Sequence, residues 1–201
     1  MEQPELDKSA LRKRLRHLLN EEITLEQRHA KSLAATSLLT ATPEFTAARV
    51  VMLYLATQHE LDTATLALRC WQQGKLVAVP KVSWDQRRMM PTEISSLSDE
   101  HMTIVGPGIR EPRSGNPIPL AMIDLVIVPG LGFTASGQRI GRGMGFYDRF
   151  LNQREFLGVS CGLAFEEQVV PALPVQEHDA SVGMLVTDAA VRRFKTSCMT
   201  R

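Results

Sequence analysis

The chain has 201 residues, 44% hydrophobic and 22% charged, with 23 Lys plus Arg against 22 Asp plus Glu for a net charge of +1. That length and composition describe one globular domain over 1–201 with a full core, and exclude wholesale disorder or a need for staples. Near-neutral charge excludes a chain that lives on nucleic acid, and apolar stretches such as Val50 to Ala56 are too short to cross a bilayer.

Lys8 to Leu19 reads as a helix, with Leu11, Leu15, Leu18 and Leu19 forming an apolar stripe. Lys8, Arg12 and Arg16 repeat every four residues and share another face of it. Thr24 to Gln27 matches a capping box, and the helix it opens should run until just before Pro43. Arg49 to Leu55 is nearly all apolar and suits a strand covered on both faces. Thr57 to Asp62 then reads as a loop, and Thr63 to Gln73 as a helix closed by Gly74. Lys75 to Pro80, Asp124 to Pro129, Leu157 to Phe165 and Gly183 to Thr187 are further strands. Asp85 to Gly115 is polar and irregular, with a short hairpin around Met89 to Ile94. Strands interleaved with helices give an α/β class: a single three-layer α/β/α domain with a mostly parallel, Rossmann-like sheet and helices on both faces.

Cys70, Cys161 and Cys198 are odd in number and lack CxxC spacing, so they read as reduced thiols that fill core, as do the nine methionines. The charged N-terminal segment is no signal peptide, which suggests a cytoplasmic protein.

The chemistry concentrates in Asp124 to Leu151, which runs strand, glycine-rich loop, then a helix starting near Phe146. Glycines at 130, 132, 137, 141, 143 and 145 leave backbone N–H groups free to approach an anion, and Arg139 and Arg142 add planar cationic donors. Phosphate is the ligand this pattern favours. No GxxxxGK[ST] is present, so a Walker-type NTPase is excluded. Phe146 stands where GxGxxG needs its third glycine, and the loop before it is too long for a dinucleotide turn, which argues against a generic Rossmann dehydrogenase. Taken alone, Lys8 and Arg12 read as a solvated helix face, and Asp148 as a complement to its helix dipole. Glu60 reads equally as a ligand group beyond a strand end or as surface charge. His178 has no second His at ligand spacing and reads as structural.

The segment PGLGFTASGQRIGRGMGFYDRFL closely resembles the signature of the 5-formyltetrahydrofolate cyclo-ligases, also called methenyltetrahydrofolate synthetases. KSALR, YLATQHELDT, VAVPKV, GIREP and PVQEHDASVGMLVTD extend the resemblance, in the family's order, over nearly the whole chain. The resemblance implies closure of 5-formyltetrahydrofolate to 5,10-methenyltetrahydrofolate with release of ADP and phosphate. It implies ATP as co-substrate, Mg2+ as cofactor, and a monomer whose partners are small molecules only. Lys8 and Arg12 would then reach the nucleotide phosphates, and Arg139, Ile140, Gly141, Arg142, Gly143, Met144, Gly145, Phe146 and Tyr147 would form the main ATP loop. Leu55, Glu60 and the run from Arg142 to Phe146 match folate-contacting positions, and Asp148 and Asp179 match magnesium positions. Arg142 and Lys8 are the expected catalytic residues, with Arg139 holding phosphates further from the reacting bond. The chain departs from many members at Gly183, where an acid is common, at Phe146, where a second tyrosine is common, and at Met144, which replaces Gly or Lys.

Overall fold

The structure is a computed structural model and describes residues 7–105 and 109–194. Cys198 and the first residue of GIREP, Gly108, lie outside the described residues.

Helix α1 (Lys8–His17) begins where the Asp7 carboxylate accepts from the Ser9 and Ala10 amides, both at 3.0 Å. The helix expected to reach Leu19 widens after His17 into a π-turn, Leu18–Glu22. Buried Arg28 accounts for this end: its guanidinium donates to the carbonyls of Leu19 and Ile23, each at 2.8 Å, and to that of His59 at 2.7 Å. Those carbonyls would otherwise be orphans at a helix terminus. Helix α2 (Leu25–Thr40) opens with the capping box of Thr24 and Gln27 that the spacing predicts. Pro43 does more than stop α2. With Thr42 capping Phe45, it starts a short helix α3 (Pro43–Ala47), the position where its fixed φ suits a first turn.

Then follow β1 (Val50–Met52), α4 (Ala64–Gln72), β2 (Leu76–Ser83), β3 (Arg88–Ile94), β4 (Met102–Val105), β5 (Ile109–Pro112) and β6 (Leu125–Val128). The glycine-rich stretch forms a small hairpin, β7 (Gly132–Thr134) and β8 (Arg139–Ile140), before α5 (Phe146–Leu151). The chain continues through β9 (Val159–Leu163), β10 (Val169–Val170), β11 (Met184–Val186) and β12 (Val191–Arg193). The central sheet has seven strands in the order β12-β11-β9-β6-β1-β2-β3. Its five inner strands are parallel, and β3 and β12 join antiparallel at the edges. The span Met89–Ile94, expected to hold a short hairpin, is instead a single strand within β3, which pairs antiparallel with β2 across a turn at 84–87. The hairpin β4–β5 falls in the segment expected to be irregular.

Side chains alternate across the sheet as a period of two requires. Val51, Leu53, Leu125 and Ile127 pack in one cluster with Leu15, Leu39, Phe45 and Leu66 from α1 to α4. Val50, Met52, Val126 and Val128 pack in the other with Phe133 of β7 and Phe150 of α5. Helices therefore contribute to both sides unevenly: α5 is only six residues long, and β7 and loop residues complete its side. Cys70 and Cys161 are core residues as expected, and burial pushes the Cys70 thiol up to about 12. The methionines divide. Met52, Met102 and Met184 are buried, but Met90, Met122 and Met144 are about half exposed, which corrects the reading of all nine as core.

Candidate functional site

The carboxyl ends of the parallel strands carry the site, as open α/β sheets dictate. Beyond β1 the chain supplies Tyr54, Leu55, Thr57 and Glu60, and beyond β6 it supplies Pro129, Gly130 and the glycine-rich loop. These segments and α1 enclose a cavity of about 990 Å³. Its lining contains every residue expected to bind ATP, folate or magnesium: Lys8, Arg12, Leu55, Glu60, the whole run from Arg139 to Asp148, and Asp179. Positions 8 and 179 meet here across nearly the full chain length.

The loop is shaped by its glycines. Gly143 and Gly145 have φ of 106° and 66°, a region that side-chain-bearing residues rarely adopt. Among the described residues, no backbone N–H from 141 to 148 donates to a protein acceptor, so the loop presents free donors. Helix α5 is too short for a strong dipole, and the positive field therefore comes mainly from side chains.

Three ion pairs bring the candidate cations and acids together. The Lys8 ammonium donates to Asp179 Oδ2 at 2.6 Å and to Gln176 Oε1 at 2.9 Å. Burial raises the Asp179 carboxyl, but the bonds from Lys8 and from the Gln176 amide outweigh it and hold the group below its usual range. Arg139 is buried and donates to Asp148 Oδ1 at 2.5 Å and to the Pro129 carbonyl at 3.3 Å. Its Nε is buried without a partner. Arg142 is half exposed and donates to Glu60 Oε1 at 3.0 and 3.3 Å and to Thr57 Oγ1 at 3.2 Å. Glu60 Oε2 is held by the Thr57 amide and hydroxyl at 2.9 and 3.0 Å.

Arg12 and Arg16 attach α1 to the loop through the carbonyls of Gly141, at 3.1 Å, and Arg142, at 3.5 Å. Tyr147 sits beneath, with its hydroxyl buried and unpartnered. Burial, with Glu60 adding to it, pushes its phenol far above the usual value, so it stays protonated. Phe146 meets the Trp84 ring edge-on at 5.4 Å and lies 5.5 Å below the Arg149 guanidinium.

Asp148 and Asp179 could hold a divalent cation. Asp148 Oδ1 accepts from Arg139 and from the Ala180 amide at 3.2 Å, which draws the residue after Asp179 against Asp148. Asp148 Oδ2 and Asp179 Oδ1 have no hydrogen-bond donor among the described residues. No group of three or more His, Cys, Asp or Glu gathers as a metal site among those residues. Two carboxylates fit magnesium, which completes its shell with water and phosphate oxygens. Gly183 does not line the cavity, and its amide donates to Ser160 Oγ at 2.9 Å. His178 is exposed at the rim, 3.9 Å from Asp179 Oδ1, which corrects its reading as a structural histidine.

Sequence reasoning missed Arg16, Gln176, Trp84, Arg87 and Arg149 as cavity residues. Arg16 shares the Lys8 and Arg12 face, and Gln176 lies three residues before Asp179, so both had a signal. Trp84 and Arg87 had none.

Comparison with known proteins is consistent along the chain. The family model for the 5-formyltetrahydrofolate cyclo-ligase family matches residues 4–188. The chain is 30% identical to the Mus musculus 5-formyltetrahydrofolate cyclo-ligase, covering 87% of this chain and 88% of the mouse protein. It is 32% identical to the Escherichia coli K12 5-formyltetrahydrofolate cyclo-ligase, over 84% of this chain and 94% of that one. The NMR structure of Aquifex aeolicus 5,10-methenyltetrahydrofolate synthetase superposes with a TM-score of 0.81 at 30% identity, covering 96% of both chains. With the signature loop, the cavity and these relatives in agreement, the chain belongs to the 5-formyltetrahydrofolate cyclo-ligase family.

Proposed function

We propose that this enzyme catalyses ATP- and magnesium-dependent cyclisation of 5-formyltetrahydrofolate to 5,10-methenyltetrahydrofolate, releasing ADP and phosphate. One observation carries the reading: four cations, Lys8, Arg12, Arg139 and Arg142, and a loop of free amides share one cavity with Leu55 and Glu60. Its volume of about 990 Å³ is at the upper end of ordinary ligand pockets, which suits two substrates together.

The chemistry needs activation because an amide oxygen is a poor leaving group. The formyl oxygen attacks the γ-phosphorus and the bond to ADP breaks. The formyl carbon is then an iminium-like centre carrying a phosphate ester. N10 adds to that carbon and loses its proton, and the carbon–oxygen bond to phosphate breaks. The protein supplies no nucleophile, and its work is alignment and charge neutralisation. Arg142 sits between two glycines and spans the Glu60 side and the phosphate side, so it can follow charge onto the transferring group. Lys8 and Arg12 grip adjacent phosphates from one helix face. Asp148 and Asp179 would hold magnesium, which neutralises phosphate charge. On this reading the chain is a single three-layer α/β/α domain, acting as a cytoplasmic monomer.

The test is to incubate purified protein with both substrates and magnesium. ADP release in step with methenyltetrahydrofolate formation is expected. Folate binding without ADP release would replace this reading with storage of reduced folate.

A further inference from the structure

Trp84 is unusual among the aromatic side chains of this molecule. Phe45, Phe133, Phe150 and Phe165 are fully buried, whereas Trp84 is 40% exposed. It stands at the turn of the β2–β3 hairpin and lines the cavity. Its indole N–H has no hydrogen-bond partner among the described residues, and its aromatic contact is with Phe146, another residue of the cavity lining. The turn is nonetheless fixed in place. The Arg149 guanidinium donates to the Arg87 carbonyl at 2.8 Å and to the Met144 carbonyl at 2.6 Å. One side chain thus ties the hairpin to the glycine-rich loop while lying over Phe146, which Trp84 meets edge-on.

Strand order sets what this wall adjoins. β2 pairs with β1, and the Leu53 amide still bonds to the Ala78 carbonyl at 2.8 Å beyond the end of β1. Pro80, Val82 and Trp84 therefore continue the cavity wall that begins at Leu55. The cations Lys8 and Arg12 enter from α1. Trp84 shares this wall with Leu55, Pro80 and Val82 and meets Phe146, a position that the family resemblance gives to the folate as well as to the nucleotide.

We propose that Trp84 is a specificity-determining residue for the folate, its indole packing against a planar ring of the bound 5-formyltetrahydrofolate. The proposal rests on the cyclo-ligase reading. Stacked or edge-on aromatic pairs add to simple burial, and an anchored turn loses little freedom when the ligand arrives.

The chain has two tryptophans, Trp71 and Trp84. Trp71 lies on α4, outside the cavity, and its buried Nε1 has no partner, so Trp71→Phe leaves Trp84 as the sole indole at little cost. In that protein, 5-formyltetrahydrofolate should change the absorbance-corrected Trp84 emission saturably, whereas a non-hydrolysable ATP analogue with magnesium should not. Trp84→Ala should raise the folate KM about tenfold, leave the ATP KM unchanged and keep the native circular dichroism, and Trp84→Phe should recover most of the loss. An emission change with the ATP analogue alone, or an unchanged folate KM in Trp84→Ala, would overturn the assignment. The two readings fail separately. Product formation without an emission change on folate binding removes only the Trp84 role, and an emission change without product removes only the cyclo-ligase reading.

Discussion

At the edge strand β12, Arg193 donates to both oxygens of Glu44 at 2.6 and 2.9 Å, and Arg192 reaches both oxygens of Glu166 at 2.5 and 3.0 Å. The Thr187 hydroxyl completes the Glu166 shell at 2.5 Å. Around the cavity the pairs are incomplete. Arg139 leaves a buried Nε unpartnered, Asp148 and Asp179 each keep one oxygen without a donor, and Tyr147 buries an unpartnered hydroxyl. Of the four buried side-chain atoms without a partner among the described residues, Arg139 Nε and Tyr147 Oη belong to residues that line the cavity, whereas Thr36 Oγ1 and Trp71 Nε1 lie outside it. The edge pairs are complete, whereas the cavity pairs leave atoms without a partner among the described residues.

The largest expected effect is at Arg142. Arg142→Ala should lower kcat by roughly 10²–10³ with a modest change in ATP affinity, as for loss of a donor aimed at developing charge. Lysine there should recover part, because a point charge lacks the planar fork. Steady-state kinetics with direct ATP binding checks this, and wild-type kcat with lost affinity would make Arg142 a plain binding residue.

Arg139 comes next and separates the two kinds of pair further. From the sequence it is a phosphate-binding residue, and its alanine variant should raise the ATP KM. The structure adds a folding role, since Arg139 is buried and its removal strands Asp148. Arg139→Ala should therefore also cost about 3 kcal/mol in chemical denaturation. Wild-type stability would show that Asp148 finds water instead.

How far the sequence reaches follows from the range of each interaction. The capping box at Thr24 and the αL glycine at 74 are local, and both are where spacing puts them. The Lys8–Arg12–Arg16 face was legible from helical periodicity, and the glycine-rich loop from its composition. The two-residue strands β8 and β10 carry too few positions to show a period. Trp84 and Arg87 reach the cavity only because a hairpin folds them onto α5, a placement no local pattern encodes. The pairing of Lys8 with Asp179 is of that kind too: the family resemblance marked both residues, but as a phosphate contact and a metal ligand.

Lys8 should show a smaller effect than Arg139 on stability. Lys8→Ala should weaken ATP use by about 1.5–3 kcal/mol, the range for a charge-assisted bond. The pH dependence carries the sign. Asp179 is held below its ordinary value of 3.8, so its stabilising contribution is present above that value and is lost as pH falls through the lower folded value. Urea unfolding between about pH 5 and 2 should show a shallower acid loss in Asp179→Asn than in wild type. Identical acid limbs would remove Asp179 from the account of acid stability.

The smallest effect should be at the edge. Arg193 is half exposed, so Arg193→Ala should cost less than about 1 kcal/mol and leave every kinetic constant unchanged. A kinetic change there would erase the contrast between the two sets of pairs.

The most direct measurement is the absorbance of methenyltetrahydrofolate formed from 5-formyltetrahydrofolate, followed with ATP and magnesium together and with each withheld. Product should form only in the complete mixture, with one ADP released per ring closed. Ring closure without ATP, or no closure with every component present, would contradict the assignment of the cavity.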